Sequence, residues 1–181
     1  MSFWAILGIV VAPLAVATLI GLRLPKTHVA ASRICLNASP EEVWAVLVDY
    51  PGHPKWRSGL DAVELGPEVD GHPTWYEVCG PNIRVQFARI ECIRPTRITT
   101  RLVGKKLPLS GTWTYEITPT QDGSQVTITQ SEFIYNPLIR FFSQYVISYY
   151  GAMDVFLDAL ARKFGETAQP EHLTLKLGVQ G

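Results

Sequence analysis

Residues 34–44 read Ile34-Cys35-Leu36-Asn37-Ala38-Ser39-Pro40-Glu41-Glu42-Val43-Trp44. They set two elements and the corner between them. Ser39 suits the position that caps a helix, because its hydroxyl can accept from a free backbone N–H of the first turn. Pro40 suits the first helical position, where no N–H is needed. Glu42 lies three residues after the cap and can reach back to the cap's own N–H, which completes a capping box. A short helix then carries Val43, Trp44, Val46 and Leu47 and must end near Asp49-Tyr50-Pro51-Gly52, where Pro and Gly both break helices. Upstream, His28–Leu36 alternates Val29, Ala31, Arg33 and Cys35 with Ala30, Ser32, Ile34 and Leu36, the period of a strand.

Working outward, His53-Pro54-Lys55-Trp56 forms a second short helical turn. Strand-like runs follow at Leu60–Leu65, Thr74–Cys79, Ile83–Ile93, Arg97–Val103, Gly111–Thr118 and Ser124–Tyr135. Asp70-Gly71, Gly80-Pro81-Asn82, Arg94-Pro95, Gly104-Lys105-Lys106 and Gln121-Asp122-Gly123 supply the turns between them. Strands joined by such short turns pair antiparallel, because parallel pairing needs long crossovers. The last element is predicted as one helix from Asn136, which caps, through Pro137, which starts it, to Gly165, which stops it. Phe142, Val146, Tyr149, Met153, Phe156, Leu160 and Phe164 recur along it at steps of three or four and form an apolar stripe. Asp154, Asp158 and Arg162 run beside the stripe. The tail from Thr167 onward is read as loosely ordered.

Before the first strand, Phe3–Leu22 is FWAILGIVVAPLAVATLIGL, with no charged side chain. As a helix it would be about 30 Å long, the depth of a bilayer's hydrocarbon core. A cleaved signal peptide would carry a basic leading region, and a buried core helix would carry a polar stripe; this segment has neither. It is read as a single-pass transmembrane anchor. Arg23, Lys26 and Arg33 follow it before the first acidic residue, Glu41, so the domain is expected on the cytoplasmic side, close to the bilayer. The expected organisation is residues 1–26 as anchor and linker, 27–166 as the folded domain and 167–181 as a tail.

The composition excludes several classes. Sixteen basic and sixteen acidic residues cancel among 181, so no electrostatic case exists for nucleic acid. Cys35, Cys79 and Cys92 form no C-x-x-C pair and read as three small buried hydrophobes rather than a zinc or redox site. His28, His53, His72 and His172 have no metal-binding spacing, and neither a P-loop, a nucleophile elbow nor a dinucleotide fingerprint occurs. No cofactor and no metal is expected.

The motif at residues 34–44, with Asp49-Tyr50-Pro51, Lys55-Trp56, Gly111-Thr112-Trp113-Thr114-Tyr115 and the helix Asn136–Glu166, resembles the START-like SRPBCC superfamily. This group contains polyketide cyclase/dehydrase, lipid-transport and Bet v 1-like proteins. The resemblance covers residues 27–166. It implies an α+β helix-grip fold, a seven-stranded antiparallel sheet wrapped around the long C-terminal helix, with two short helices after the first strand. It also implies a cavity between sheet and helix, since one helix cannot cover so wide a sheet.

No catalytic constellation stands out. His53, in the helix-to-strand corner, reads as an exposed loop residue rather than a base. Glu116 falls opposite the face shared by Trp113, Tyr115 and Ile117 and reads as outward; Glu132 has no assigned face. The cavity candidates are aromatic or soft side chains: Trp56, Trp75, Phe87, Trp113, Tyr115, Phe133, Phe142, Tyr145, Tyr149 and Met153. Gly104-Lys105-Lys106-Leu107-Pro108-Leu109 reads as a hairpin turn, or as a lid that meets anionic headgroups. The combined expectation is a membrane-tethered carrier or sensor for a lipid or other hydrophobic small molecule. The alternatives are a cyclase or dehydratase, which needs ionisable groups pointing into the cavity, and a protein-interaction module at the membrane.

Overall fold

The computed structural model describes residues 3–104, 107–146 and 148–174, with side chains from Val11 onward. The order is α1 (Phe3–Arg23), β1 (Thr27–Leu36), α2 (Pro40–Val48), a 3-10 helix (Tyr50–Lys55), β2 (Ala62–Val69), β3 (His72–Cys79), β4 (Ile83–Ile93), β5 (Arg97–Val103), β6 (Leu109–Pro119), β7 (Ser124–Ile134), α3 (Pro137–Tyr145), α4 (Gly151–Lys163) and β8 (Glu171–Leu173). One sheet contains all the strands in the order β2-β3-β4-β5-β6-β7-β1-β8, every pair antiparallel. The capping box at Ser39 is present: Ser39 N donates to Glu42 Oε2 at 2.8 Å, and Glu42 N donates to Ser39 Oγ at 3.4 Å.

The core lies between the sheet's inner face and the helices. Val43, Trp44 and Leu47 of α2 meet Met153, Phe156, Leu157 and Leu160 of α4 over Ile34, Ile98, Ile117, Val126 and Ile128 of the strands. On β7 the even-numbered Val126, Ile128 and Ile134 are buried, and they fix which face of the sheet is inward.

Three expectations are corrected here. The long C-terminal helix is two helices: α3 ends at Tyr145 and α4 starts at Gly151. Two β-branched residues (Val146, Ile147), Ser148 and two tyrosines stand between them in the sequence, a run of weak helix formers, and Gly151 starts the next helix. The sheet has eight strands rather than seven, because the tail folds back as β8 and pairs with β1 at Ala31, Ser32 and Arg33. Arg33 clamps Glu171 through two hydrogen bonds at 2.9 and 3.0 Å, and His172 Nε2 lies 2.8 Å from Asp154 Oδ2. Cys35 and Cys92 are exposed and Cys79 is half-buried, so the thiols are not core hydrophobes.

The expected membrane anchor concerns α1. Among the described residues no helix is long and apolar enough to cross a membrane, the side chains before Val11 lying outside them. What the structure does show is a contact between α1 and α3 through small residues. Ala17 and Gly21 are buried, one turn apart. A Cβ on Gly21 would fall 1.8 Å from the Pro137 carbonyl oxygen, so the two backbones touch where only glycine fits. Arg140 Nη1 donates to the Leu24 carbonyl at 2.8 Å and ties the end of α1 to α3.

Candidate functional site

The inner face of the sheet and the side of α4 enclose a cavity of about 620 Å³. Pairing register builds its wall. Trp75 faces Phe87 across β3 and β4, Phe87 faces Leu102 across β4 and β5, and Thr100 faces Trp113, which faces Gln130, across β5, β6 and β7. Directly opposed residues share a face, so these form a continuous belt. Val155, Phe156 and Ala159 of α4 close the other side, and the exposed Ser58 and Gly59 lie at the rim.

Of the ten candidates, Trp75, Phe87, Trp113 and Tyr115 stand on this wall. The other six lie elsewhere. Trp56 packs edge-on against His53 and Phe156, behind the cavity. Met153 is fully buried in the core. Phe133 falls on the outer parity of β7 beside Tyr135. Phe142 and Tyr145 are exposed on α3, because the helix break turns α3 away from the stripe that α4 continues. Tyr149 stacks on His28 with ring centroids 3.3 Å apart. Glu116 faces outward as expected and lies 3.7 Å from Arg97 on the surface. Lys105 and Lys106 lie outside the described residues.

The cavity wall is not purely apolar. Arg57 and Glu77 form a two-pronged ion pair within it, Nη1 to Oε1 at 2.7 Å and Nη2 to Oε2 at 3.0 Å. Their side chains are only 22% and 14% exposed. The Arg57 guanidinium also lies over the Phe156 ring, 5.1 Å from its centre. Behind it sits His53, 4% exposed, with Nε2 at 3.2 Å from the Leu47 carbonyl and Nδ1 at 3.3 Å from Arg57 Nη1. A carbonyl only accepts and a guanidinium only donates, so the proton must be on Nε2 and the ring must be neutral. Burial agrees: desolvation, then the Arg57 charge, lower the His53 pKa to about 4. The expectation of an exposed loop histidine is therefore corrected, and so is the alternative of a base. His53 is a neutral prop for Arg57.

Tyr115 shares this pole. Desolvation pushes its phenol well above the usual tyrosine range, so it stays protonated and keeps an O–H available to donate. Tyr50, stacked on Trp75 at 3.9 Å, is likewise raised to about 12 by burial.

A second polar group lines the cavity on β7. Glu132 points inward over Gly111, its register partner, where a Cβ would meet Glu132 Cγ at 3.3 Å and the Ser131 carbonyl oxygen at 2.9 Å. Gln130 Nε2 donates to Glu132 Oε1. Desolvation raises the Glu132 pKa, and the Gln130 hydrogen bond only partly offsets it. The sequence carried signals for both acids. Glu77 shares the parity of Trp75 and Cys79, and Glu132 that of Val126, Ile128 and Ile134, so each is a lone charge on an apolar row. No three acidic, histidine or cysteine side chains among the described residues group as a metal site.

An antiparallel sheet gripping a C-terminal helix over an aromatic cavity with an internal ion pair defines a helix-grip binding fold. The chain belongs to the family described as polyketide cyclase / dehydrase and lipid transport, whose model matches residues 27–165. Solved structures agree on the fold. The di-domain aromatase/cyclase StfQ from the steffimycin biosynthetic pathway is 13% identical at a TM-score of 0.60 over 76% of this chain, which spans only 50% of that protein. Zhui aromatase/cyclase from a Streptomyces species is 13% identical at a TM-score of 0.61, covering 77% of this chain and 94% of that one. Norcoclaurine synthase from Thalictrum flavum is 15% identical at 0.60, covering 82% and 91%. No curated protein matches the chain.

Proposed function

We propose that this protein binds a hydrophobic small molecule or lipid in the cavity and holds it by an oxygen at the Arg57–Tyr115 pole. The observation that carries this reading is the cavity itself: about 620 Å³ lined by Trp75, Phe87, Trp113 and Phe156, with one cluster of oriented donors. A volume within roughly 300–1,000 Å³ and a mostly apolar wall with few polar groups suit a drug-sized ligand. The family's description, which includes lipid transport, supports the same reading. The inward ion pair and the protonated phenol also favour a second reading, a cyclase or dehydratase that polarises a carbonyl at Tyr115.

Fluorescence titration with 6-butyl-2-naphthol tests the binding. Saturable binding is expected, and Leu102→Trp, which fills the middle of the wall, weakens it at least tenfold. Equal affinity in the variant would overturn the reading. Mass spectrometry of the molecule that co-purifies with the protein separates the two readings: a carrier releases it unchanged after prolonged incubation, and an enzyme converts it.

We also place the domain against a membrane, on its cytoplasmic side. The support is the exposed apolar side chains Leu14, Val16, Leu19 and Leu22 of α1, together with the exposed Tyr145 and Val146 at the end of α3, and the basic Arg23 and Lys26 that follow Leu22. Flotation with phosphatidylcholine vesicles is expected, and Leu14→Lys with Leu19→Lys abolishes it. Flotation unchanged by both lysines would remove α1 from the contact.

A further inference from the structure

Glu132 has no cation to pair with among the described residues, although it sits on the wall of an apolar cavity. Gln130, 9% exposed, uses its amide N–H on Glu132 Oε1, and its own Oε1 is buried without a partner. The other carboxyl oxygen, Oε2, has no hydrogen-bond donor among the described residues. The remaining neighbours among the described residues supply no positive charge. His28 lies directly opposite Glu132 in the β1–β7 register, but burial lowers its pKa and its ring is stacked on Tyr149. Gly111 leaves the space into which the carboxyl folds.

The separation from the first pole follows from register. Tyr115 pairs with Ile128, and Glu132 is four residues further along β7, which puts the poles about 14 Å apart at roughly 3.4 Å per residue. The wall between them is the row of Thr100, Trp113 and Gln130, with Gly111 level with Glu132. The cavity is thus long and mostly apolar, with hydrogen-bond donors at one end and, at the other, a carboxyl that has no cationic partner among the described residues.

We propose that Glu132 is a specificity-determining residue that selects elongated aromatic or aliphatic ligands carrying a protonated amine, seated so that the amine pairs with its carboxylate while an oxygen meets Arg57 and Tyr115. An acid whose ionised form is penalised by burial gains most from a ligand that brings the missing cation. The inference rests on the cavity-binding reading and names the ligand class for it.

The test compares three probes on the same skeleton: 6-(4-aminobutyl)-2-naphthol, its 4-hydroxybutyl analogue and its butanoate analogue, titrated at pH 7.5. The amine is expected to bind at least tenfold more tightly than the alcohol, and the carboxylate most weakly. In Glu132→Gln, checked for an unchanged unfolding midpoint, the amine-to-alcohol ratio falls to near one; Glu132→Asp keeps part of it. Equal binding of amine and alcohol to the natural protein would overturn this inference and leave cavity binding standing. A preference that survives Glu132→Gln would do the same. Failure of all three probes to bind would overturn the cavity reading, and the inference with it.

Discussion

Replacing Glu77 by alanine lowers the midpoint of thermal unfolding by roughly 6–12 °C, and replacing both Glu77 and Arg57 by leucine recovers most of the loss. The single change leaves the Arg57 guanidinium in the cavity wall with no counter-ion. Its side chain is only 22% exposed, its stacking partner Phe156 cannot neutralise it, and its other contact, His53, is uncharged. Breaking one side of a buried pair costs about 3 kcal/mol or more, because the remaining charge is stranded. For a chain of this size each kcal/mol moves the midpoint by roughly 2–4 °C. The double leucine variant removes both desolvated charges and adds apolar volume where the wall is already aromatic. Scanning calorimetry of the natural protein, the single and the double variants reads the cycle. A Glu77→Ala midpoint within about 1 °C of the natural protein would mean that solvent, not Glu77, neutralises Arg57.

The second large effect is on pH. Stability falls by about 3 kcal/mol between pH 6.5 and pH 4 through His53 alone. The ring is buried and its pKa drops from 6.5 to about 4, first by desolvation and then by the Arg57 charge. Each pKa unit corresponds to about 1.4 kcal/mol. Between those two values the unfolded chain binds a proton that the folded chain refuses, so folding weakens as pH falls through the window. The loss is complete near the folded-state value. His28, also lowered by burial, acts in the same direction. Glu132 acts oppositely. Its raised pKa gives stability that is present below the unfolded value of 4.5 and lost as pH rises, so it partly offsets the decline at the acid end. Urea unfolding from pH 7.5 to pH 4.5 reads the slope, and the imidazole resonance of His53 reads its cause. A His53 signal that titrates near pH 6.5 in the folded protein would remove the explanation.

Much of the architecture was legible in the chain because it depends on local chemistry. Ser39, Pro40 and Glu42 meet within one helical turn, and their capping box forms as read. The runs Ile83–Ile93 and Arg97–Val103 are strands with the boundaries that period and turns imply. Trp113 and Tyr115 share a face because strand side chains alternate, and that face lines the cavity.

The misreadings have a common cause. The stripe from Phe142 to Phe164 keeps helical spacing throughout, so periodicity alone could not see that one helix stops at Tyr145 and another starts at Gly151. Glu171, His172 and Leu173 looked like tail because a three-residue strand has no period of its own. It exists through Arg33, Asp154 and the edge of β1, all distant in sequence.

The amino-acid sequence by itself determined the α+β helix-grip order, the membership that follows from it and the aromatic belt on β6, all products of hydrogen bonds and alternation between near neighbours. Only the tertiary structure decided the site's chemistry. It joined Arg57 to Glu77 across twenty positions, sealed His53 as a neutral prop and turned Glu132 toward the cavity. Those outcomes depend on which face of each strand is covered and how far water is excluded, and both are properties of the packed whole.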